Sequence, residues 1–214
     1  MELIDEKLQQ YIDEHSGQEP ELLYRLWRET HLKVPLPQMV SGHVQGQILR
    51  LFSQLIKPKR ILEIGTFTGY SGICLASGLD PDGKLISIEI SREREEMVSR
   101  YWKEAGIWDK SQLIFGNALD IIPSLDEKFD LVFIDADKVN YPKYFDLIVP
   151  KMNVGALLLG DNVLWSGKVI DTNKTDKDTE GIRLFNSKVQ SDKRVENVII
   201  PVRDGIMAAR KICD

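Results

Sequence analysis

The sequence predicts an α/β fold: a mostly parallel sheet with helices on both faces, an antiparallel pair at one edge and a helical N-terminal extension. Three observations carry this reading. Short apolar runs alternate with helical stretches from residue 60 to residue 160, the pattern of parallel strands joined by crossover helices. A glycine-rich turn follows the first of these runs, where such sheets bind ligands. Near the C-terminus, Asp204-Gly205 separates two further apolar runs, a strong hairpin signal.

Residues 1–56 read as helices. Ile4, Leu8, Tyr11 and Ile12 share one helical face, and Leu22, Leu23, Leu26 and Trp27 share another. The stretch from His31 to Pro37 breaks the pattern, because its two prolines disfavour helix. Val44, Ile48, Leu51, Phe52 and Leu55 then mark a further helix, ended by Pro58. The apolar runs Arg60–Ile64, Leu85–Ile90, Gln112–Phe115, Phe129–Asp135 and Val154–Gly160 are predicted strands. Val98, Tyr101, Trp102 and Ala105 mark one intervening helix; Tyr141, Tyr144, Phe145 and Ile148 mark another. A polar loop, Asp171–Glu180, precedes a helix carrying Ile182, Phe185 and Val189. Val195–Val202 and Ile206–Ile212 are the last two predicted strands.

A chain of 214 residues suits one domain, 1–214, divided into a helical segment, 1–56, and an α/β core, 57–214. With 43% hydrophobic and 29% charged residues it can bury a core without staples. The net charge of -5 counts against attachment to nucleic acid or anionic lipid by bulk charge. Two cysteines, Cys74 and Cys213, cannot build a disulfide framework or a four-thiolate zinc site, and read as small packed thiols in a reducing compartment. The polar, acidic start carries no apolar run, so no signal peptide, transit peptide or membrane span is expected, and a cytoplasmic location is.

The first strand runs into a turn with glycines at 65, 69 and 72, which lets backbone approach a ligand closely. Phe67 stands where a dinucleotide fingerprint needs glycine, so a pyrophosphate cradle is not expected. The second strand ends in Glu89, an acid that can accept hydrogen bonds from both ribose hydroxyls. A glycine turn plus that acid suggests a nucleoside ligand without a diphosphate, and S-adenosylmethionine fits.

The fourth and fifth strands end at Asp135 and at Asp161-Asn162. Side by side, these give three hard oxygen donors, suited to Mg²⁺ (or Ca²⁺ or Mn²⁺). His15, His31 and His43 all precede the sheet and read as structural. Lys138, three residues after Asp135, is a candidate general base if the cation and burial lower its pKa. Phe67, Tyr70, Tyr141 and Trp165 are candidate apolar walls, although core packing is the better explanation for any one of them.

With these residues in place, the chain resembles the cation-dependent class I O-methyltransferases, the group of the plant caffeoyl-CoA and mammalian catechol O-methyltransferases and many small bacterial enzymes. The resemblance is carried by 62–71 (LEIGTFTGYS), 134–141 (IDADKVNY), 161–169 (DNVLWSGKV) and Asp204-Gly205. It implies a Rossmann-like, seven-stranded sheet with a reversed last strand. It implies S-adenosylmethionine binding by Met39, Ser41, Glu63, Gly65, Phe67, Ser71, Glu89, Ala118, Asp135 and Asp137. Metal ligation falls on Asp135, Asp161 and Asn162, the catalytic role on Lys138 with Asp135, and acceptor contacts on Lys138, Trp165, Ser166, Arg183 and Asn186. The plant-type pattern has Asn where Ser166 stands, and the further acidic residue of the mammalian catechol enzymes has no counterpart here. Homodimers are common in the family, and Pro37–Val40 with the N-terminal helices supplies apolar surface for one.

The implied reaction is methyl transfer to a hydroxyl of a catechol-like small molecule. An alternative on the same scaffold is methylation of a hydroxyuridine in tRNA. That reading wants a basic surface, yet residues 1–40 hold eight acidic and four basic side chains. A non-enzymatic S-adenosylmethionine-binding protein is a third reading, opposed by the intact set Asp135, Lys138, Asp161 and Asn162.

Overall fold

The computed structural model describes residues 5–214 and divides into two compact units, 5–116 and 117–214. Ile4 lies outside the described residues. The expected boundary at 56/57 coincides with neither unit's edge, because the N-terminal helices belong to the same unit as the first three strands.

The first unit contains α1 (Glu6–Glu14), α2 (Glu21–Lys33), α3 (His43–Ile56), β1 (Arg60–Ile64), α4 (Tyr70–Ala76), β2 (Lys84–Glu89), α5 (Glu95–Glu104) and β3 (Ser111–Phe115). β2 pairs in parallel with both β1 and β3, so Ile64 lies beside Ile88 and Glu89 beside Phe115. α1 is capped by the Asp5 carboxylate but buries none of its residues, and Leu8 and Tyr11 on its apolar face are exposed. α2 runs through His31 to Lys33, further than the sequence suggests, and buries Leu23, Leu26 and Thr30.

α3 turns a different face inward from the one its leucines predict. Gln45, Gly46, Leu49 and Ser53 are buried, whereas Leu51 and Leu55 are 58% and 78% exposed. Small residues decide this. A Cβ on Gly46 would come within 2.8 Å of the Tyr70 ring, and one on Gly78 within 2.1 Å of the Ser53 backbone. Close packing against α4 therefore selects the small-residue face and leaves the larger apolar one outward.

The second unit contains α6 (Ala118–Ser124), β4 (Phe129–Ile134), α7 (Tyr141–Ile148), β5 (Met152–Asp161), α8 (Lys177–Ser191), β6 (Val195–Ile200) and β7 (Ile206–Lys211). β4 and β5 are parallel, with Ile134 beside Gly160. β7 pairs antiparallel with β5 on one side and β6 on the other. The sheet has seven strands in the order β3-β2-β1-β4-β5-β7-β6. Phe129, Phe133, Tyr141, Phe145 and Phe185 are fully buried, and Phe185 meets Tyr141 edge-on at 5.2 Å between centroids.

Two local expectations change. The polar run 171–180 is not loop throughout: Asp176 accepts from the Thr179 amide and starts α8 at Lys177. The hairpin is wider than a two-residue turn, with β6 ending at Ile200 and β7 starting at Ile206. Pro201 has no N–H to extend the ladder, and Asp204 and Gly205 are engaged elsewhere, as described below. Of the cysteines, Cys74 is buried as expected but Cys213 is exposed. Among the described residues, no helix is long and apolar enough to cross a membrane.

Candidate active site

In the first unit, the turn after β1 is built around two carboxylates. Glu63 is fully buried and accepts from the hydroxyl of Ser71 at 2.6 Å and from that of Ser87. Glu89 accepts from the backbone amides of Phe67 at 2.9 Å and of Thr66 and Ser91 at 3.1 Å each. The acid expected at a ribose thus also pins the turn. Its three amide bonds use three of the roughly four acceptor sites of a carboxylate.

Phe67 adopts φ 50°, the left-handed conformation for which a fingerprint would use glycine. The charged acceptor on its amide offsets that strain. Gly69, at φ 89°, has a second constraint: a Cβ there would lie 2.7 Å from Trp102 Nε1, which donates to the Gly69 carbonyl at 2.9 Å. Gly72 also faces the Trp102 ring, at 2.6 Å from a Cβ. Sequence reading marked Trp102 only as a helix-face residue, and its role in shaping the turn is visible only in three dimensions. Of the remaining cofactor candidates in this unit, Ser41 is buried and Met39 is 54% exposed. Tyr70 is buried and its hydroxyl donates to Glu19 at 2.5 Å, so it is core and not wall.

His43 bonds through Nε2 with the Gly17 carbonyl at 2.6 Å, and His15 and His31 bond carbonyls four residues back, those of Tyr11 and Trp27. All three are structural.

In the second unit, the ends of β4 and β5 are tied together through Lys138 and Tyr141. Lys138 is 7% exposed and donates to Asp135 Oδ1 at 2.9 Å and to the Tyr141 hydroxyl at 2.8 Å. That hydroxyl lies 3.0 Å from the carbonyls of both Ile134 and Asp161, and with one proton it can donate to one of them at a time. Gly181 makes room for the arrangement, since a Cβ there would strike the Lys138 carbonyl at 2.4 Å. Burial pushes the Lys138 pKa down, but Tyr141, Asp135 and Asp161 outweigh it and hold the ammonium above its ordinary value. Burial alone therefore does not lower the value; the expected lowering joins burial to a bound cation. Burial raises the Tyr141 phenol well above its ordinary value.

Asp161 is 3% exposed and accepts from the Asn162 amide at 2.8 Å, while Asn162 is left-handed at φ 59°. Asp137 is exposed and accepts from Asn140 at 2.5 Å and from the Tyr144 hydroxyl. Ala118 is buried at the first position of α6.

The loop after β5 presents the remaining acceptor candidates. Trp165, Ser166 and Gly167 are left-handed in succession, at φ 48°, 52° and 77°. Asp204 holds this bend, its carbonyl accepting from Leu164 at 2.9 Å and its carboxylate from the Ser166 amide at 2.6 Å. A left-handed site favours Asn among non-glycine residues, which accounts for the Asn of the plant pattern where Ser166 stands. Arg183 has its donors engaged on the carbonyls of Lys168, Val169, Asp171 and Lys174 and on Glu180. It shapes the loop; these donors do not point to an acceptor. Asn186 donates to the Val163 carbonyl at 2.8 Å, and its Oδ1 is buried with no hydrogen-bond partner among the described residues.

The family model for O-methyltransferase matches residues 13–212. The chain belongs to the O-methyltransferase family. It is 37% identical to the caffeoyl-CoA O-methyltransferase of Eucalyptus gunnii, over 98% of this chain and 89% of that protein. It is 34% identical to the catechol O-methyltransferase of Niastella koreensis, over 92% of this chain and 90% of that protein. Among solved structures, the O-methyltransferase TomG from Streptomyces achromogenes, in complex with S-adenosylmethionine, matches with a TM-score of 0.89 and 34% identity, covering 96% of each chain. The O-methyltransferase from Bacillus cereus, in complex with S-adenosylhomocysteine, matches at 0.88 and 31%, covering 94% of this chain and 96% of that one. The sheet order and turn described above are thus those of an S-adenosylmethionine-dependent O-methyltransferase of the caffeoyl-CoA and catechol type.

The donor chemistry of this O-methyltransferase fits a hard divalent cation: two carboxylates and an amide at adjoining parallel strand ends. Among the described residues, no group of three or more His, Cys, Asp or Glu is placed to hold a metal ion.

Proposed function

We propose that the chain transfers a methyl group from S-adenosylmethionine to one hydroxyl of a vicinal dihydroxy aromatic, with a divalent cation, Mg²⁺ or in its place Ca²⁺ or Mn²⁺, held by Asp135, Asp161 and Asn162. The observation that carries this reading is the buried lysine that joins Asp135 to the end of β5 through Tyr141. A bound cation supplies positive charge that favours the ionised acceptor hydroxyl. With the charges of Asp135 and Asp161 neutralised, two of the influences that raise the Lys138 pKa weaken and burial pushes it down. Lys138 can then take the acceptor proton at Nζ. Tyr141 keeps that nitrogen aimed, because its hydroxyl is itself fixed by two carbonyls.

Glu89 receives the ribose hydroxyls, and the backbone of 65–67 lies along the cofactor, with Met39, Ser41, Glu63, Ser71, Ala118, Asp135 and Asp137 completing its contacts. Trp165 and Ser166 border the acceptor, with Asn186 behind them and Arg183 holding their loop. The enzyme acts in the cytoplasm as a homodimer, with no membrane or nucleic-acid partner. The exposed leucines of α3, together with Leu32, Leu36 and Met39, supply the apolar contact. Sedimentation at micromolar concentration should give a dimer, and Leu55→Glu should give a monomer.

Incubating the protein with methyl-labelled cofactor, Mg²⁺ and either a caffeate-type catechol or bulk tRNA tests the reaction. Label in the catechol is expected; label in tRNA alone would replace this reading with the nucleic-acid one.

A further inference from the structure

Three arginines of the first unit lie over aromatic rings, and their surroundings differ. Arg92, over Phe115, pairs with Glu95 at 3.1 Å, and Arg100, over Tyr101, pairs with Glu29 at 2.8 Å; both side chains are half exposed or more. Arg94 Cζ lies 4.9 Å from the centroid of the Phe67 ring, and this side chain is only 20% exposed. Its Nε is buried with no hydrogen-bond partner among the described residues. The acid paired with it, Glu93, stands 3.7 Å away and is itself largely in solvent. The ring face of Phe67 is therefore what meets this enclosed charge, and a ring holds a cation more strongly when water is excluded.

Where Arg94 sits is an independent observation. Arg94, Val98 and Trp102 recur every four residues, so they share one face of α5, whose cap is Arg94. That face lies on the turn after β1: a Cβ on Gly69 would meet Val98 Cγ1 at 3.3 Å and Trp102 Nε1 at 2.7 Å. The Arg94 carbonyl accepts from the Val98 amide at 2.9 Å, which ties its main chain to the helix. The turn thus meets the segment after β2 at two points. Glu89 Oε2 accepts from the Thr66 and Phe67 amides, and five residues later Arg94 covers the Phe67 ring. The first contact fixes the main chain of Phe67 at φ 50°, and the second fixes its side chain. A bulky residue keeps a left-handed backbone only where its surroundings hold it there.

We infer that Arg94 is a positioning residue for the cofactor and acts through Phe67. Its guanidinium holds the ring, the ring holds the left-handed turn, and the turn's amides keep the Glu89 carboxylate aimed at the ribose hydroxyls. The inference rests on the cofactor reading given above and adds to it a residue that neither the glycine turn nor the strand-end acid announces. Without the cation the ring is free to turn, and Phe67 can relax toward ordinary backbone, drawing its amide from Glu89. Glu89 then meets the ribose in a less fixed orientation, so nucleoside binding weakens although Glu89 itself is unchanged.

The test is calorimetry of S-adenosylhomocysteine binding to the whole protein, well below its unfolding midpoint. Arg94→Met keeps the stem without the charge, and Arg94→Lys keeps a cation over the ring. Arg94→Met should weaken binding about fivefold, the scale of an enclosed contact between a cation and a ring, and Arg94→Lys should retain most of the parent affinity. In a Phe67→Leu background the same Arg94→Met change should alter affinity less than about twofold, because the partner ring is gone. Unchanged affinity in Arg94→Met, an equal loss in Arg94→Lys, or the full loss in the Phe67→Leu background would each overturn the inference. A residue that merely stabilised α5 would shift the urea midpoint and leave affinity alone. The Met and Lys variants decide the matter even if Phe67→Leu does not fold. No binding by the parent protein would remove the cofactor site itself; binding that falls in Glu89→Ala but not in Arg94→Met would remove Arg94 alone.

Discussion

At the end of β1, two carboxylates are met by the chain's own donors: Glu63 by the Ser71 and Ser87 hydroxyls, Glu89 by three backbone amides. At the ends of β4 and β5, Asp135 accepts from the buried Lys138 ammonium and Asp161 from the Asn162 amide. The first region is held in shape from within, by glycines against Trp102 and by amides on Glu89. The second holds charged groups in fixed positions, and a bound cation would change their balance. On the function proposed above, the first region governs cofactor affinity through shape and the second governs turnover through charge.

Asp161→Ala should break the second region and spare the first. Removing one of two anionic donors should lower kcat about a thousandfold or more, on the scale of charge stabilisation by a bound cation. Affinity for S-adenosylhomocysteine by calorimetry should change less than about threefold. Gly69→Ala attacks the first region through its shape, combining a left-handed φ with a 2.7 Å approach to Trp102. It should cost about 2–4 kcal/mol of stability by urea unfolding, the scale of overpacking plus a backbone misfit. Glu89→Ala leaves the fold but removes the acceptor of three amides and the proposed ribose contacts. Cofactor affinity should fall by about 1–3 kcal/mol, roughly 10- to 100-fold; unchanged affinity would separate Glu89 from the cofactor.

The smallest effect lies outside both regions and serves as a control for pH. Burial raises the Glu29 pKa, but hydrogen bonds from Arg100, Tyr101 and Lys33 outweigh it and bring it down to about 2. A carboxylate with a depressed folded value adds stability above its ordinary value near 4.5, and that contribution is lost as pH falls from there toward 2. In Glu29→Gln this part of the acid sensitivity should vanish, at a cost near neutral pH of about 1 kcal/mol or less, the scale of an ion pair whose cations, Lys33 and Arg100, are solvent-exposed. Urea midpoints at neutral pH and near pH 3 measure both quantities.

The strands and the turn were legible because their signals are local. Apolar runs, glycines and strand-end acids announce themselves within a few residues, and Arg60–Ile64 stands as predicted. What depends on packing was not. The leucines of α3 pointed to the wrong face, because Gly46 and Ser53 mark the contact with α4 by being small. The parts of Trp102 and Tyr141 in their sites follow from what they touch across the fold. Asp204-Gly205 was readable as a turn but not as the clamp on the Trp165 loop, since its partners lie about forty residues away in sequence. Arg183 was assigned to the acceptor by resemblance, and only the structure shows its donors engaged on the loop.

The division of labour between shape and charge is tested most directly on one preparation of unmodified enzyme stripped with EDTA. Turnover of a catechol and calorimetric affinity for S-adenosylhomocysteine are measured before and after adding back Mg²⁺. Turnover should fall to background on stripping and return with Mg²⁺, while affinity for the nucleoside stays within about threefold, because the turn after β1 is complete without the cation. Full turnover by the metal-free protein would contradict the account.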